Sequence, residues 1–182
     1  MSLPIITIRL ILRRFNYEDV RDILEFISHP SVSKIVTEIE MTETGVKKYI
    51  DIKNSYELFE KDKCFDLAIV RKADGKVIGL VTLIRKNHMQ GQIGWALGFD
   101  YRGKGYATEA AEAVIEYGFN VLGLHRVYAD TTNENSASWK VMERLGMRRE
   151  ACLKEAEFRD DRWLDSLTYG ILASEWRNKR RA

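Results

Sequence analysis

The sequence predicts a mixed α+β fold in which a mostly antiparallel sheet is flanked by helices on both faces. Three observations predict it. Runs of β-branched and long apolar residues alternate with stretches of helical periodicity along the chain. Two such runs, Phe65 to Arg71 and Lys76 to Arg85, are joined by Lys72-Ala73-Asp74-Gly75, and Asp-Gly between strands is a hairpin signal. A helical stretch separates the strand ending near Leu97 from the strand starting near His125, which implies one right-handed parallel crossover inside an otherwise antiparallel order.

In chain order, Ile6 to Leu12 reads as the first strand. Tyr17 to Ile27 follows as a helix, with Val20, Ile23, Leu24 and Ile27 at helical spacing and Asn16 as its N-cap. His29-Pro30 ends it, because proline disfavours helical geometry in the residue before it. Thr44 to Phe59 is a second helix built on Val46, Ile50 and Leu58, and no decisive pattern occupies the stretch between the two. After the hairpin, Gly91 to Leu97 extends the meander by a third strand. A helix from Gly105 to Val121 gathers Ala107, Ala110, Ala111, Val114, Gly118 and Val121 on one face and Glu109, Glu112 and Glu116 on another, so its small residues can pack closely on a sheet. His125 to Asp130 is a strand, Asn135 to Leu145 a helix stopped by Gly146, and Met147 to Phe158 and Leu164 to Leu172 are further strands.

A chain of 182 residues, 45% of them hydrophobic, can bury a full core and reads as a single domain over 1–182. Its 29 basic and 27 acidic residues are spread along the chain, which is not the concentrated basic stripe that nucleic acid requires. No nucleic-acid partner is expected. Arg177, Lys179, Arg180 and Arg181 form a short charged tail to which no function is given. No stretch is apolar enough to span a membrane and no signal core is present, so no membrane partner and a cytoplasmic location are expected. Cys64 and Cys152 make no disulfide framework, and His29, His88 and His125 carry no local metal signature, so no metal is expected.

Residues 98–110 read "GFDYRGKGYATEA", a glycine-rich turn running into an alanine-rich helix. A helix N-terminus there offers unpaired N–H groups and a positive dipole end to an anion. Two phosphate motifs fail on it. Gly105 stands where a nucleotide P-loop needs Ser or Thr for magnesium, and a dinucleotide fingerprint counted from Gly103 meets Thr108 where the last glycine belongs. A glycine turn that caps a helix and binds nothing is the plain alternative.

Arg102-Gly103-Lys104-Gly105-Tyr106-Ala107 resembles the pyrophosphate loop of the GNAT acetyltransferase superfamily. "TTNENSASWKVMERLGM", residues 131–147, resembles the second signature of that family through Asn135, Ser138, Leu145, Gly146 and Met147. "RWLDSLTYGILASEW", residues 162–176, is similar to the closing strand of the branch that contains the ribosomal-protein alanine and serine N-acetyltransferases. "TIRLILRRF" is similar to that branch's Thr-Glu-Arg-Leu opening, with Ile8 replacing the Glu. The resemblance runs from about Ile6 to Trp176. It implies a GNAT-like sheet and acetyl-CoA dependent transfer of an acetyl group to a primary amine, which could belong to a protein N-terminus, a polyamine or a small molecule; a homodimer is compatible with it. A non-catalytic acyl-CoA binding or sensing module is the alternative, and a P-loop phosphotransferase the third reading.

For the site, the resemblance implies that the strand Ile93 to Leu97 holds the pantetheine arm through its backbone, with the thioester beside Trp95, Ala96 and Leu97. Arg102, Gly103, Lys104, Gly105, Tyr106 and Ala107 would take the diphosphate. Asn135 would contact the pantetheine arm and Ser138 would protonate the departing thiolate, although the pair also reads as an N-cap and a first-turn serine. Glu157 is the expected general base, matched to the branch through Lys154, Glu155, Ala156, Glu157 and Phe158. On an uninterrupted strand Met147, Ala151, Leu153, Glu155 and Glu157 share one face, and a carboxylate on an apolar side suits base catalysis. Cys152 has no histidine near it in sequence, so direct transfer is expected rather than an acetyl-enzyme. The acceptor pocket is expected around Ser31 to Thr44.

Overall fold

The computed structural model describes residues 3–33 and 36–179; Arg180 and Arg181 of the charged tail, and Lys34 and Ile35 of the acceptor segment, lie outside the described residues. The elements are β1 (Ile5–Ile6), β2 (Leu10–Arg13), α1 (Val20–Ser28), α2 (Pro30–Ser33), α3 (Glu43–Ser55), β3 (Phe65–Arg71), β4 (Val77–Lys86), β5 (Gln90–Leu97), α4 (Tyr106–Asn120), β6 (Arg126–Thr132), α5 (Ser136–Arg144), β7 (Arg148–Arg159), β8 (Arg162–Leu172) and α6 (Ala173–Lys179). All eight strands form one sheet in the order β1-β2-β3-β4-β5-β6-β8-β7. Every neighbouring pair is antiparallel except β5 and β6, which the α4 crossover joins in parallel.

Strand alternation divides the apolar residues between two cores. On β3, Phe65, Leu67 and Ile69 enter the cluster that α4, α5 and α6 cover, whereas Ala68 and Val70 enter the cluster under α1 and α3. Such burial is worth about 1.5–3 kcal/mol for each large side chain. The helices on both faces follow from it.

Several elements depart from the sequence reading, each for a reason that its contacts show. The first strand is broken at Thr7, whose hydroxyl accepts the Leu10 N–H at 3.0 Å, so β1 folds back on β2. Asn16 does cap the next element, in a capping box with Asp19, but Asp19 also binds Arg13 through both oxygens, and the first turn is a 3-10 turn, Tyr17–Asp19. Thr42 caps α3 through the Gly45 N–H, and the helix stops at Ser55 rather than Phe59. Phe59 instead has φ 54° and is fully buried against Phe65 and Tyr117. On α4 the buried arc takes in Ile115, Tyr117 and Phe119, while Val121 lies past the helix end and is 38% exposed. The short α6, unforeseen in the sequence, is pinned by Trp176, which packs on Phe119 and donates to Glu116 at 2.6 Å.

Candidate active site

The parallel pairing of β5 with β6 covers only Gln90 to Gln92 against Arg126 to Tyr128. Beyond it the strands diverge, while β5 stays paired with β4 as far as Leu97. Peptide groups of Ile93 to Leu97 that face β6 therefore have no ladder partner on that side, and a cleft opens there. Its far wall is α5.

This cleft has a volume of about 250 Å³ and is lined by Trp95, Ala96 and Leu97, by Arg102, Gly103, Gly105, Tyr106, Ala107 and Thr108, and by residues of α5. Gly105 is the N-cap of α4 with φ 82°, a left-handed conformation that suits glycine, and no side chain caps the helix. The first-turn N–H groups thus face the cleft without a competing side chain. Arg9 holds the loop from behind: its guanidinium donates to the Lys104 carbonyl at 3.0 Å and lies 4.6 Å over the Tyr106 ring. Glu109 fixes Arg9 in turn, at 2.6 Å.

Arg102 reaches the cleft, and burial lowers its pKa, with no carboxylate pairing it among the described residues. Its Nε donates to the Leu97 carbonyl at 3.2 Å and its Nη2 to the Ser31 carbonyl at 3.3 Å. Lys104 is placed differently from the other loop residues: it is exposed, with its ammonium 6.0 Å from the Tyr101 ring centre, and it does not line the cleft. Asn135 is the N-cap of α5, its Oδ1 accepting the Ser138 N–H at 3.2 Å. Besides Thr108, four lining residues of α5 went unforeseen in the sequence: Ala137, Lys140, Val141 and Arg144. Their spacing of three, four and seven is the signal that places them on one helical face.

A second cavity of about 370 Å³ adjoins the first and shares Trp95, Ala96, Asn135 and Ser138 with it. It runs from Val36, Thr37 and Glu38 across β3, β4 and β6 to Glu157 and Arg159 on β7. Sheet register builds its floor, since Asp66 lies opposite Thr82 and Thr82 opposite Gly94. A Cβ at Gly94 would meet nothing within 4 Å, so the floor is open at its middle. Asp66 is buried and accepts from Tyr49 at 2.6 Å, Thr82 at 2.5 Å and Lys53 at 2.9 Å. Burial works against the charge on Lys53, yet Asp66 and Glu38 together raise its pKa. Burial and Asp66 push the Cys64 thiol up to about 12, so Cys64 is no thiolate nucleophile. Cys64, Glu38 and Asp66 bring ligand atoms within 4.8 Å of one another, and the Lys53 ammonium sits against both carboxylates.

The environment expected for Glu157 needs correction. β7 is not uninterrupted: its register on β8 shifts between Arg149 and Ala151 and again between Leu153 and Glu157, where Glu155 has φ 49°. This bulge removes the strict alternation. Leu153 is 57% exposed and Glu155 is exposed, so the apolar face does not continue to Glu157. Glu157 itself is half-buried, pairs with Arg159 at 2.5 Å, accepts from Ser166 at 3.3 Å and lines the second cavity with Ser138. Cys152 lines neither cavity. A separate cavity of about 640 Å³ lies between β1 and α4, where Glu109 is occupied by Thr7 and Arg9.

The chain matches the acetyltransferase (GNAT) domain family over residues 9–148. It is 34% identical over 174 residues to the uncharacterized N-acetyltransferase YnaD of Bacillus subtilis, covering 94% of this chain and 98% of that one. It is 25% identical over 167 residues to the spermidine N(1)-acetyltransferase of Escherichia coli, covering 91% and 87%. Among solved structures, a GNAT-family acetyltransferase from Bacillus anthracis superposes with a TM-score of 0.81 at 30% identity, covering 95% and 100%. The ribosomal-protein-S5-alanine acetyltransferase of Vibrio fischeri shares the fold, with a TM-score of 0.78 at 23% identity and 96% and 99% coverage.

Proposed function

The chain belongs to the GNAT acetyltransferase family and is an acyltransferase, and on that premise we propose that it moves the acetyl group of acetyl-CoA directly to a primary amine. One observation carries the reading: two cavities, one at an uncapped helix N-terminus and one rich in carboxylates, meet at Trp95, Ala96, Asn135 and Ser138. The first suits an anionic donor. The second suits a cationic acceptor, since Glu38, Asp66, Asp130 and Glu157 line it with Arg159 as the one lining cation among the described residues, and the carboxylates still outnumber the cations when Lys53, which pairs with Glu38 and Asp66, is included. That balance, together with the spermidine acetyltransferase among the relatives, favours a polyamine over a protein N-terminus or another small molecule.

In this mechanism the acceptor ammonium enters from the Glu38 side and loses a proton to Glu157. The amine nitrogen then attacks the thioester carbonyl, forming the C–N bond, while unpaired peptide N–H groups of β5 stabilise the oxyanion. Collapse breaks the C–S bond, and the second proton, which the attacking nitrogen must still lose to become an amide, passes through Ser138 or water to the departing thiolate. Arg102 exchanges the Leu97 and Ser31 carbonyls for the diphosphate, leaving the β5 carbonyl free for the pantetheine arm. Every group invoked comes from one chain, so the chemistry does not require a homodimer. The two free cysteines fit the reducing cytoplasm, where we place the reaction.

The test is release of free CoA thiol from acetyl-CoA, measured with a panel of a diamine, an N-terminal alanine peptide and an amino-acid amine. Amine-dependent release is expected, fastest with the diamine. Tight binding of acetyl-CoA without release on any amine would overturn the catalytic reading in favour of a binding module.

A further inference from the structure

The chain has twelve glycines, and eleven of them have a local reason to be glycine. Five have positive φ, and six stand where a Cβ would lie 3.2 Å or less from another atom, as at Gly79, where it would meet the Ala96 carbonyl oxygen at 2.2 Å. Gly94 has neither reason: its φ lies outside the left-handed region, and among the described residues a Cβ there would meet nothing within 4 Å. Glycine in a strand interior weakens the strand, and it often marks a point where a ligand comes close to the backbone. The bare position on β5 is therefore explained by what lies over it rather than by packing.

The side on which Gly94 is bare is that of the second cavity. Gly94 lines that cavity and not the donor cleft, whereas its neighbours Trp95 and Ala96 line both. Register places Asp66, Thr82 and Gly94 side by side on β3, β4 and β5, at about 4.8 Å per strand. The Thr82 hydroxyl donates to Asp66, so the row runs from a carboxylate to open backbone. On the far side, β6 brings Asp130, held by Gln92 at 3.0 Å and Thr168 at 2.7 Å, and β7 brings Glu157. Carboxylates thus flank the bare backbone on both sides: Glu38 and Asp66 toward β3, with Lys53 paired to both, and Asp130 and Glu157 toward β7.

We propose that Gly94 is the specificity-determining position of the acceptor site: the unbranched carbon chain of a diamine lies on its bare peptide, with one amine directed to the carboxylates on each side. This rests on the acceptor assignment above and deepens it, from a cavity that suits a cation to the strip of backbone that seats the carbon chain. The amine on the Glu157 side is the one that meets the thioester, and the other stays an ammonium on the Glu38 side. A side chain at 94 would stand where the methylenes lie, and it would leave the donor cleft untouched.

The test is the acceptor kinetics of wild type, G94A and G94L, followed as free CoA thiol from acetyl-CoA with a linear diamine and with the monoamine of equal chain length. G94A is expected to raise KM for the diamine about tenfold with kcat within about twofold, the signature of lost binding rather than lost chemistry. G94L is expected to show no turnover, and both variants are expected to bind acetyl-CoA within about twofold of wild type by calorimetry. Alanine fits an extended strand, so the melting temperature of G94A is expected to equal or exceed that of wild type. Wild-type KM in both variants would overturn the proposal, because the space would then be unused. A loss of acetyl-CoA affinity that matches the loss of turnover would overturn it by assigning Gly94 to the donor strand, and a lower melting temperature with a reduced kcat would make the glycine a packing requirement. Wild type is expected to favour the diamine about tenfold in kcat/KM, and equal use of the monoamine would remove the second amine from the seat. A wild-type chain that binds acetyl-CoA and turns over no amine is a different result, which refutes the transfer reading itself and this seat with it.

Discussion

Glu157 meets the second cavity as one member of a pair, since Arg159 holds one of its oxygens and Ser166 donates to the other. The pair orients the carboxylate toward the space beside Ser138. Replacing Glu157 by Gln keeps the shape and removes the base. Turnover is expected to fall by about 10²–10⁴-fold, with acetyl-CoA affinity measured by calorimetry left within about twofold. Unchanged turnover would remove Glu157 from the mechanism. Lys53 and Asp66 are a different kind of pair, with side chains only 5% and 4% exposed. Removing one partner leaves the other charge buried, so Lys53→Met is expected to cost about 3–5 kcal/mol, read from urea denaturation. A cost near zero would mean that Asp66 is satisfied by Tyr49, Thr82 and Cys64 without the charge.

The loop before α4 takes its shape from its own sequence and its position from another element. Gly105 supplies the positive φ, but Arg9 and Thr7, about a hundred residues away, tie the helix to the β1–β2 turn through Glu109. Burial would raise the pKa of Glu109, yet the hydrogen bonds from Thr7 and Arg9 and the Arg9 charge outweigh it, so the folded value is lowered. A lowered carboxylate pKa contributes stability that is present above the unfolded value and is lost as pH falls through the folded one. The melting-temperature gap between wild type and Glu109→Gln is therefore expected to be full at neutral pH and to close below about pH 4. A gap that is flat with pH would show that shape, rather than charge, makes the contact. Among the elements, α4 was legible from its small-residue face, and the loop from backbone requirements that are local. The break at Thr7, the early end of α3 and the bulge in β7 were not legible, because each is decided by a partner on another strand or helix.

For the whole molecule, the cleft at the start of α4 exists because β5 and β6 separate after three paired positions while α4 and α5 close over the gap. A donor bound there ties both halves of the sheet together, so it stabilises the folded chain by mass action. At a hundredfold excess over Kd this is about 2.7 kcal/mol, and acetyl-CoA is expected to raise the melting temperature by about 5–10 °C. No shift at saturating acetyl-CoA would place the donor elsewhere. Sequence alone determined the fold class, the hairpin, the crossover and the glycine turn that opens α4, because turn chemistry, periodicity and glycine conformation act over a few residues. It also singled out Asn135, Ser138 and Glu157 through their motifs. Only the tertiary structure decided that Lys104 turns away while Lys140 and Arg144 face the cleft, and that Glu38, Asp66 and Asp130 surround one cavity with Glu157. Those groups come from separate strands and helices, and what brings them together is sheet register and strand divergence, which no local spacing encodes.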